Sequence, residues 1–231
     1  MRLAACLNTT PGRVESREYN IWFGISLGNR YFSKEHLEKY IPWLVAHVRE
    51  SLLIVVADEI HAINLEVLDG YTPARAVAVA QRKGKEKIDE VIAILKSLSP
   101  SDQQKVKVIP WAEIEKIPEK QKFRALLKEE FGRNEEFKRF VIGIVKEYPK
   151  TESKKLTASD YERLSEYILR ELPVYINGAV YKDCRYLLQP YPGLGKIDEL
   201  IMGLQSGTLF SALAKKLNIT NKIAILEAYV E

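Results

Sequence analysis

Two stretches of this chain are apolar almost without interruption, and they organise the reading of the rest. Asn20–Ser26 (NIWFGIS) and Leu52–Asp58 (LLIVVAD) are short and lack the strict alternation of a half-wet strand. They predict strands covered on both faces, as in a parallel sheet. Between them Ser33 predicts a helix cap, with Glu35 in the first turn and the helix running through His47; Pro42 is expected to kink or divide it. The result is a strand–helix–strand unit with a right-handed connection. Thr72-Pro73 opens a long helix towards Leu98, with Gly84 as its weak point and Ser99-Pro100-Ser101 as its stop. Lys105–Pro110 predicts a third strand, Glu119–Phe131 and Glu135–Tyr148 helices, and Pro149–Ser153 a polar connection. Thr157, with Asp160 three residues on, caps a further helix. Tyr186–Tyr191 reads as a strand, Ile197–Leu204 as a helix and Lys222–Val230 as a closing strand. This alternation predicts one α/β domain over residues 1–231, a Rossmann-like three-layer sandwich around a central, mostly parallel sheet. Ligands of such folds sit at the carboxyl ends of the strands, where Ser26 and Asp58 stand.

Composition narrows the class without naming a function. Hydrophobic residues at 46% and charged residues at 29% exclude a disordered or collagen-like chain. No window approaches 18 apolar residues and Met1–Thr10 lacks the apolar core of a signal peptide, so neither a membrane span nor export is expected, and the location expected is cytoplasmic. Cys6 and Cys184 fit no metal or redox spacing. The net charge of +4 is too small to announce a polyanion partner, but its distribution is uneven. Arg75, Arg82, Lys83, Lys85 and Lys87 face a single nearby acid, Glu86. Lys120, Lys122, Arg124 and Lys128 form a second basic stretch, and Lys146, Lys150, Lys154 and Lys155 a third. Each is either a solvated helix face or a docking surface for a polyanion.

The candidate chemistry begins at Ser26. Gly24-Ile25-Ser26-Leu27-Gly28 matches GxSxG, the turn that exposes a nucleophilic serine in α/β-hydrolases. Such a triad needs a histidine late in the chain, whereas His36, His47 and His61 all fall early. Any activation of Ser26 must therefore come from another group. The helix from Ala158 offers one. Tyr161, Leu164, Ile168 and Leu172 form its apolar stripe, and Tyr167 and Glu171, four apart, lie beside that stripe. A carboxylate there is either ion-paired or functional, because burying it alone is costly. Walker A, GxGxxG and the ATP-binding motifs of class I synthetases are all missing, as is zinc or calcium ligand spacing. An enzyme built this way needs a substrate that arrives activated, with no cofactor and no metal.

Gly24-Ile25-Ser26-Leu27-Gly28-Asn29-Arg30-Tyr31-Phe32-Ser33 closely resembles the segment around the nucleophilic serine of cyclodipeptide synthases. Tyr167-Ile-Leu-Arg-Glu171-Leu-Pro173 matches that family's Tyr-x-x-x-Glu-x-Pro segment, and Asp69-Gly70 before a long helix and Tyr191-Pro192 before another are similar to its remaining motifs. The resemblance covers nearly the whole chain in the family's order. It implies a fold similar to the catalytic domain of class I aminoacyl-tRNA synthetases. It also implies that two aminoacyl-tRNAs are joined into a 2,5-diketopiperazine through an aminoacyl-Ser26 and then a dipeptidyl-Ser26, the second substrate's amine attacking the first intermediate. By the same resemblance Tyr167 and Glu171 hold the α-amino group, and Tyr191 relays a proton during cyclisation. Asn29 and the Gly24 backbone orient the acyl group.

The family divides by what stands at the positions of Asn29, Tyr191 and Pro192. This chain carries both the asparagine of one group and the proline of the other, so Tyr186 competes with Tyr191 for the third segment. The resemblance further implies a first aminoacyl pocket lined near Trp22, Val55, Val174, Gln189 and Pro192. Gln189 hints at a polar first side chain, because an apolar one would leave its amide unpaired. The tRNA is expected on the basic residues of the long helix, here Arg82, Lys83, Lys85 and Lys87, and the chain is expected to act as a monomer. Two other classes share these features. A synthetase-like module could capture aminoacyl-tRNA or a nucleotide without chemistry, and an acyltransferase could pass the Ser26-bound group to another acceptor.

Overall fold

The computed structural model describes residues 1–148, 151 and 154–230. Its strands are β1 Arg2–Leu7, β2 Ile21–Ser26, β3 Leu52–Ala57, β4 Val106–Pro110, β5 Ala179–Tyr181, β6 Cys184–Tyr186, β7 Leu188–Tyr191 and β8 Ala224–Tyr229. The helices are α1 Pro11–Glu15, α2 Lys34–His47, α3 Ala62–Val67, α4 Pro73–Leu95, α5 Pro100–Lys105, α6 Trp111–Glu115, α7 Pro118–Arg133, α8 Glu135–Lys146, α9 Ala158–Asn177, α10 Lys196–Ser206 and α11 Ser211–Leu217. Six strands form one sheet in the order β1-β8-β7-β2-β3-β4, parallel except for β1, which pairs antiparallel with β8 at the edge. β5 and β6 form a separate antiparallel pair. Among the described residues no helix is long and apolar enough to cross a membrane.

The two-sided burial predicted for the apolar runs is what organises the layers. All six residues of β3 are buried, and alternate residues enter different cores. Ile21, Phe23 and Ile25 join Leu52, Ile54 and Val56 beneath α2 and the second half of α4. Trp22 joins Leu53 and Val55 on the opposite face, which α7 to α11 cover. Helices therefore lie on both faces of the sheet, and the three-layer α/β sandwich expected from the sequence is the fold observed.

Several local expectations are corrected. α2 runs unbroken through Pro42; five buried residues hold it on the sheet, and the Tyr40 hydroxyl donates to the Ala228 carbonyl at 2.9 Å. Ser99 does not end a helix but caps the next one, α5, so the third strand starts at Val106 rather than Lys105. Tyr186–Tyr191 is not one strand: the chain leaves the β5–β6 pair at Tyr186 and enters the main sheet at Leu188. The Pro149–Ser153 connection lies, apart from Thr151, outside the described residues. Lys120 is no surface cation. It is buried, and its ammonium donates to the carbonyls of Pro173 and Gly178 at the end of α9; burial pushes its pKa down to about 8. Arg124 and Lys128 pair with Glu166, so the second basic stretch is largely spent on structure.

Gly84 does not interrupt α4. It is buried, and a Cβ there would overlap the Cβ of Asp58, the residue just after β3. Asp58 in turn accepts the Trp111 N–H at 2.9 Å, so α4, the end of β3 and α6 meet at one point. Helix propensity alone would make Gly84→Ala stabilising by up to ~1 kcal/mol. The overlap with Asp58 predicts the reverse sign, a loss of about 1–3 kcal/mol in urea unfolding.

Candidate active site

Ser26 ends β2, and side-chain alternation puts it on the face occupied by Trp22 and Gly24. α9 lies across that face. Its twenty residues are capped by Thr157, whose side chain accepts the Asp160 N–H while Asp160 bonds back to Thr157. The helix continues through Pro173, and nearly everything beyond Leu164 is buried. Tyr167 and Glu171 therefore point inward, as their place beside the apolar stripe suggests. The Tyr167 hydroxyl makes polar contact with both Ser26 and Glu171. From β7, the Tyr191 hydroxyl approaches Ser26 and Asn29. Asn29 also caps the short turn that follows it, its Oδ1 accepting the Tyr31 N–H at 3.0 Å. One serine, two tyrosines, one glutamate and one asparagine thus converge from three distant parts of the chain.

Electrostatics give the cluster its character. Glu171 is 7% exposed, and none of the ion pairs seen among the described residues includes it. Of the two alternatives left open by the sequence, ion-paired or functional, the ion pair is not seen among the described residues. Burial, only partly offset by Tyr167, raises its pKa to about 8. The same burial holds the Tyr167 hydroxyl well above its ordinary value, with the Glu171 charge adding to the rise. Sequence reasoning missed three neighbours. Tyr175, one turn beyond Glu171 and readable from that spacing, and Tyr148 both lie within reach of the Glu171 charge. Asp198, near the start of α10, is raised to about 6 by burial and acts on Tyr148 and Tyr191. Nothing in the local sequence marks Tyr148 or Asp198.

The rest of the expected site divides. Trp22, Val55 and Val174 share one buried cluster with Tyr167 and Tyr175, and the Trp22 and Tyr175 rings meet edge-to-face at 5.1 Å. Gln189 on β7 is buried beside them, whereas Pro192 sits half-buried in the turn after β7. Tyr186 lies elsewhere: its hydroxyl shares a 2.9 Å hydrogen bond with Ser51, just before the start of β3 and far from the serine. Of the basic residues on α4, Arg82 pairs with Glu86, Lys85 with Asp89 and Lys87 with Glu90, the last also donating to the Phe32 carbonyl at 2.9 Å. Lys83 stands half-buried between them. Among the described residues no group of three or more His, Cys, Asp or Glu side chains is arranged to hold a metal ion.

A family model described as cyclodipeptide synthase matches residues 8–210. A search of curated proteins finds no match. Solved structures resemble the chain throughout. A cyclodipeptide synthase from Staphylococcus haemolyticus superposes with a TM-score of 0.76 at 17% identity, over 95% of this chain and 94% of that one. One from Mycobacterium tuberculosis, described as demonstrating that cyclodipeptide synthetases are related to type I tRNA synthetases, gives 0.65 at 19% identity over 83% and 81%. A third, from Candidatus Glomeribacter gigasporarum and bound to Phe-tRNAPhe, gives 0.59 at 15% identity over 92% and 88%. At these identities the superpositions speak for the fold alone.

A carboxyl group whose pKa rises on folding makes the native state bind an extra proton between its unfolded and folded values. For Glu171 that window runs from 4.5 to about 8, and its contribution to stability is lost as pH rises through it. Glu171→Gln removes this loss. The melting temperature of the variant minus that of the parent should therefore grow steadily from pH 5 to pH 8 in thermal scans. A flat difference would mean that Glu171 is ionised in the free protein.

Proposed function

The chain belongs to the cyclodipeptide synthase family, and on that premise we propose that it joins the aminoacyl groups of two aminoacyl-tRNAs into a 2,5-diketopiperazine through covalent intermediates on Ser26. The observation that carries this reading is the convergence of Tyr167, Tyr191 and the buried Glu171 on one serine. An aminoacyl-tRNA is already an activated ester, so Ser26 can take the aminoacyl group by transesterification, releasing the tRNA hydroxyl.

Atom balance reverses one expectation about the second step. If the second substrate's amine attacked the acyl-enzyme, the dipeptide would leave on tRNA and Ser26 would be freed. A dipeptidyl-Ser26 forms only when the amine of the bound aminoacyl group attacks the ester of the second aminoacyl-tRNA. The free amine of the dipeptide then attacks its own ester to Ser26, closing the ring and returning the hydroxyl. Positioning supplies much of the rate of that intramolecular step.

This order assigns Glu171 a task that suits its chemistry. The attacking α-amine, with a pKa of about 7.7–8.0, must lose a proton first. Glu171, at about 8, can exchange that proton with it at little free-energy difference. Tyr167, between Ser26 and Glu171, positions the amine, while Tyr191 returns the proton to Ser26 as the ring closes. Asn29 orients Tyr191, and the Gly24 backbone orients the acyl group. A module that only captures aminoacyl-tRNA would not need Ser26, Tyr167 and Glu171 together. The tRNA docks on Arg82, Lys83, Lys85 and Lys87 of α4. The ion pairs of Arg82 and Lys85 are exposed, so exchanging those partners for phosphates costs little.

Expression in a bacterium followed by mass spectrometry of the medium tests the reading. New masses equal to two amino acids minus two waters are expected, and Ser26→Ala should abolish them. Tyr191→Phe should slow ring closure more than acylation, so that dipeptide accumulates on Ser26. Persistence of the cyclic product in the folded Ser26→Ala protein would reject the covalent route.

A further inference from the structure

Lys120, on α7, is 4% exposed, and its ammonium donates to two carbonyls, that of Pro173 at 2.9 Å and that of Gly178. Burying an ammonium is costly, and burial draws its pKa down to about 8. An apolar side chain of the same length would fill the space without that cost but could bond neither carbonyl. The charged groups nearest Lys120 are engaged elsewhere. Asn177 Nδ2 donates to Glu119, and Arg185 donates to Glu119 at 3.4 Å and to the Asn177 carbonyl at 2.7 Å. Glu115, Arg124 and Arg170 line a small cavity beside Lys120 and pair with one another.

What the ammonium holds is the turn of α9 that carries Glu171. Pro173 has no N–H, so the Leu169 carbonyl loses its ladder donor, and the proline ring crowds it. The backbone from Leu169 to Pro173, with Glu171 at its middle, is therefore weaker than an ordinary helical turn. Beyond it the helix ends at Asn177, and its last carbonyls have no partner further along the helix. Gln205 donates to the Ile176 carbonyl at 2.9 Å and Arg185 to that of Asn177, both past Pro173. Among the described residues Lys120 is the side chain that reaches back to the Pro173 carbonyl, two residues from Glu171. Its bond to Gly178 ties that point to the chain just beyond the helix. A cation placed there also meets the negative end of the helix dipole.

We propose that Lys120 is a positioning residue for the amine-attack step: by bracing the Pro173 turn it sets the place of the Glu171 carboxyl against Ser26 and the attacking amine. This rests on the reading of Glu171 as the group that exchanges the amine's proton. Acylation of Ser26 does not draw on that exchange, so the two half-reactions respond differently to loss of the brace.

The test is a double-substitution cycle in the full-length protein, read step by step by intact mass. Parent, Lys120→Met, Glu171→Gln and the double variant are loaded at Ser26 with one aminoacyl-tRNA and then mixed with a second. Lys120→Met should slow consumption of the aminoacyl-Ser26 by about 10- to 100-fold, the scale of a displacement of about 1 Å, and loading much less. In the Glu171→Gln background the same substitution should cost under about 2-fold, because the group it positions is gone. Melting curves give a readout that needs no catalysis. The gain in melting temperature from Glu171→Gln between pH 5 and pH 8 should flatten in the Lys120→Met background, since an unbraced Glu171 reaches water; the titration of Lys120 cancels in that difference. Should Lys120→Met not fold, Lys120→Gln, which keeps an N–H donor, is read the same way with smaller losses expected. Equal slowing of loading and consumption, or equal slowing with and without Glu171, would overturn the inference and leave the proposed function standing. Failure of the parent to load Ser26 would reject the proposed function. The melting cycle would then decide on Lys120 alone, an undiminished pH dependence overturning its role in seating Glu171.

Discussion

The constraint on which the rest depends is that β2 and β3 are apolar on both faces. Water cannot be allowed on either side, so helices must cover both, and the strand ends become the places where polar chemistry can meet solvent. Ser26 occupies such an end. Everything placed around it follows from which helix covers which face. α9 lies over the face to which Ser26 points, and that is why Tyr167 and Glu171, rather than residues of α2, reach the serine. The opposite core, beneath α2, is built from side chains such as Phe23, Phe32 and Tyr40 that pack without chemistry.

Within that frame the proposed active site takes its electrostatic character from desolvation. A carboxyl next to a cation would be ionised and inert towards an ammonium of ordinary basicity. Left without one, Glu171 has a proton affinity close to that of the amine it is proposed to meet. Tyr167 and Tyr175 keep their protons under the same burial and so remain donors. The arrangement lowers the stability of the free protein at neutral and alkaline pH, a cost borne at the proposed active site.

Much of this was legible in the sequence, for identifiable reasons. The apolar runs revealed β2 and β3 because two-sided burial leaves no polar positions. Ser33, Thr157 and Thr72-Pro73 revealed helix starts because caps and first-turn prolines act locally. Tyr167 and Glu171 stood out as polar groups beside an apolar stripe. What could not be read depended on distant partners. β1, edge-on and half-exposed, has no strong pattern. Lys120 looked like one cation among several until the carbonyls at the end of α9 were seen around it. The split of Tyr186–Tyr191 arises because Leu187 bonds through its N–H to Asn20 and through its carbonyl to Ala224, pulling the chain from one sheet into the other. The ion pairs of α4 lay at readable i, i+3 and i, i+4 spacings, yet a charge count that stopped at Lys87 missed Asp89 and Glu90.

The close seat of Gly84 on Asp58 has a further meaning for how such proteins diversify. Because backbone meets side chain there with no room for a methyl group, the long helix cannot slide or tilt relative to the end of β3 without opening a gap or a clash. Its outer face is therefore held at a set distance from the sheet that carries Ser26. With tRNA docked on this helix as proposed, descendants of this chain can adapt to new tRNA surfaces by exchanging side chains along it, while the helix itself stays in register as a fixed ruler.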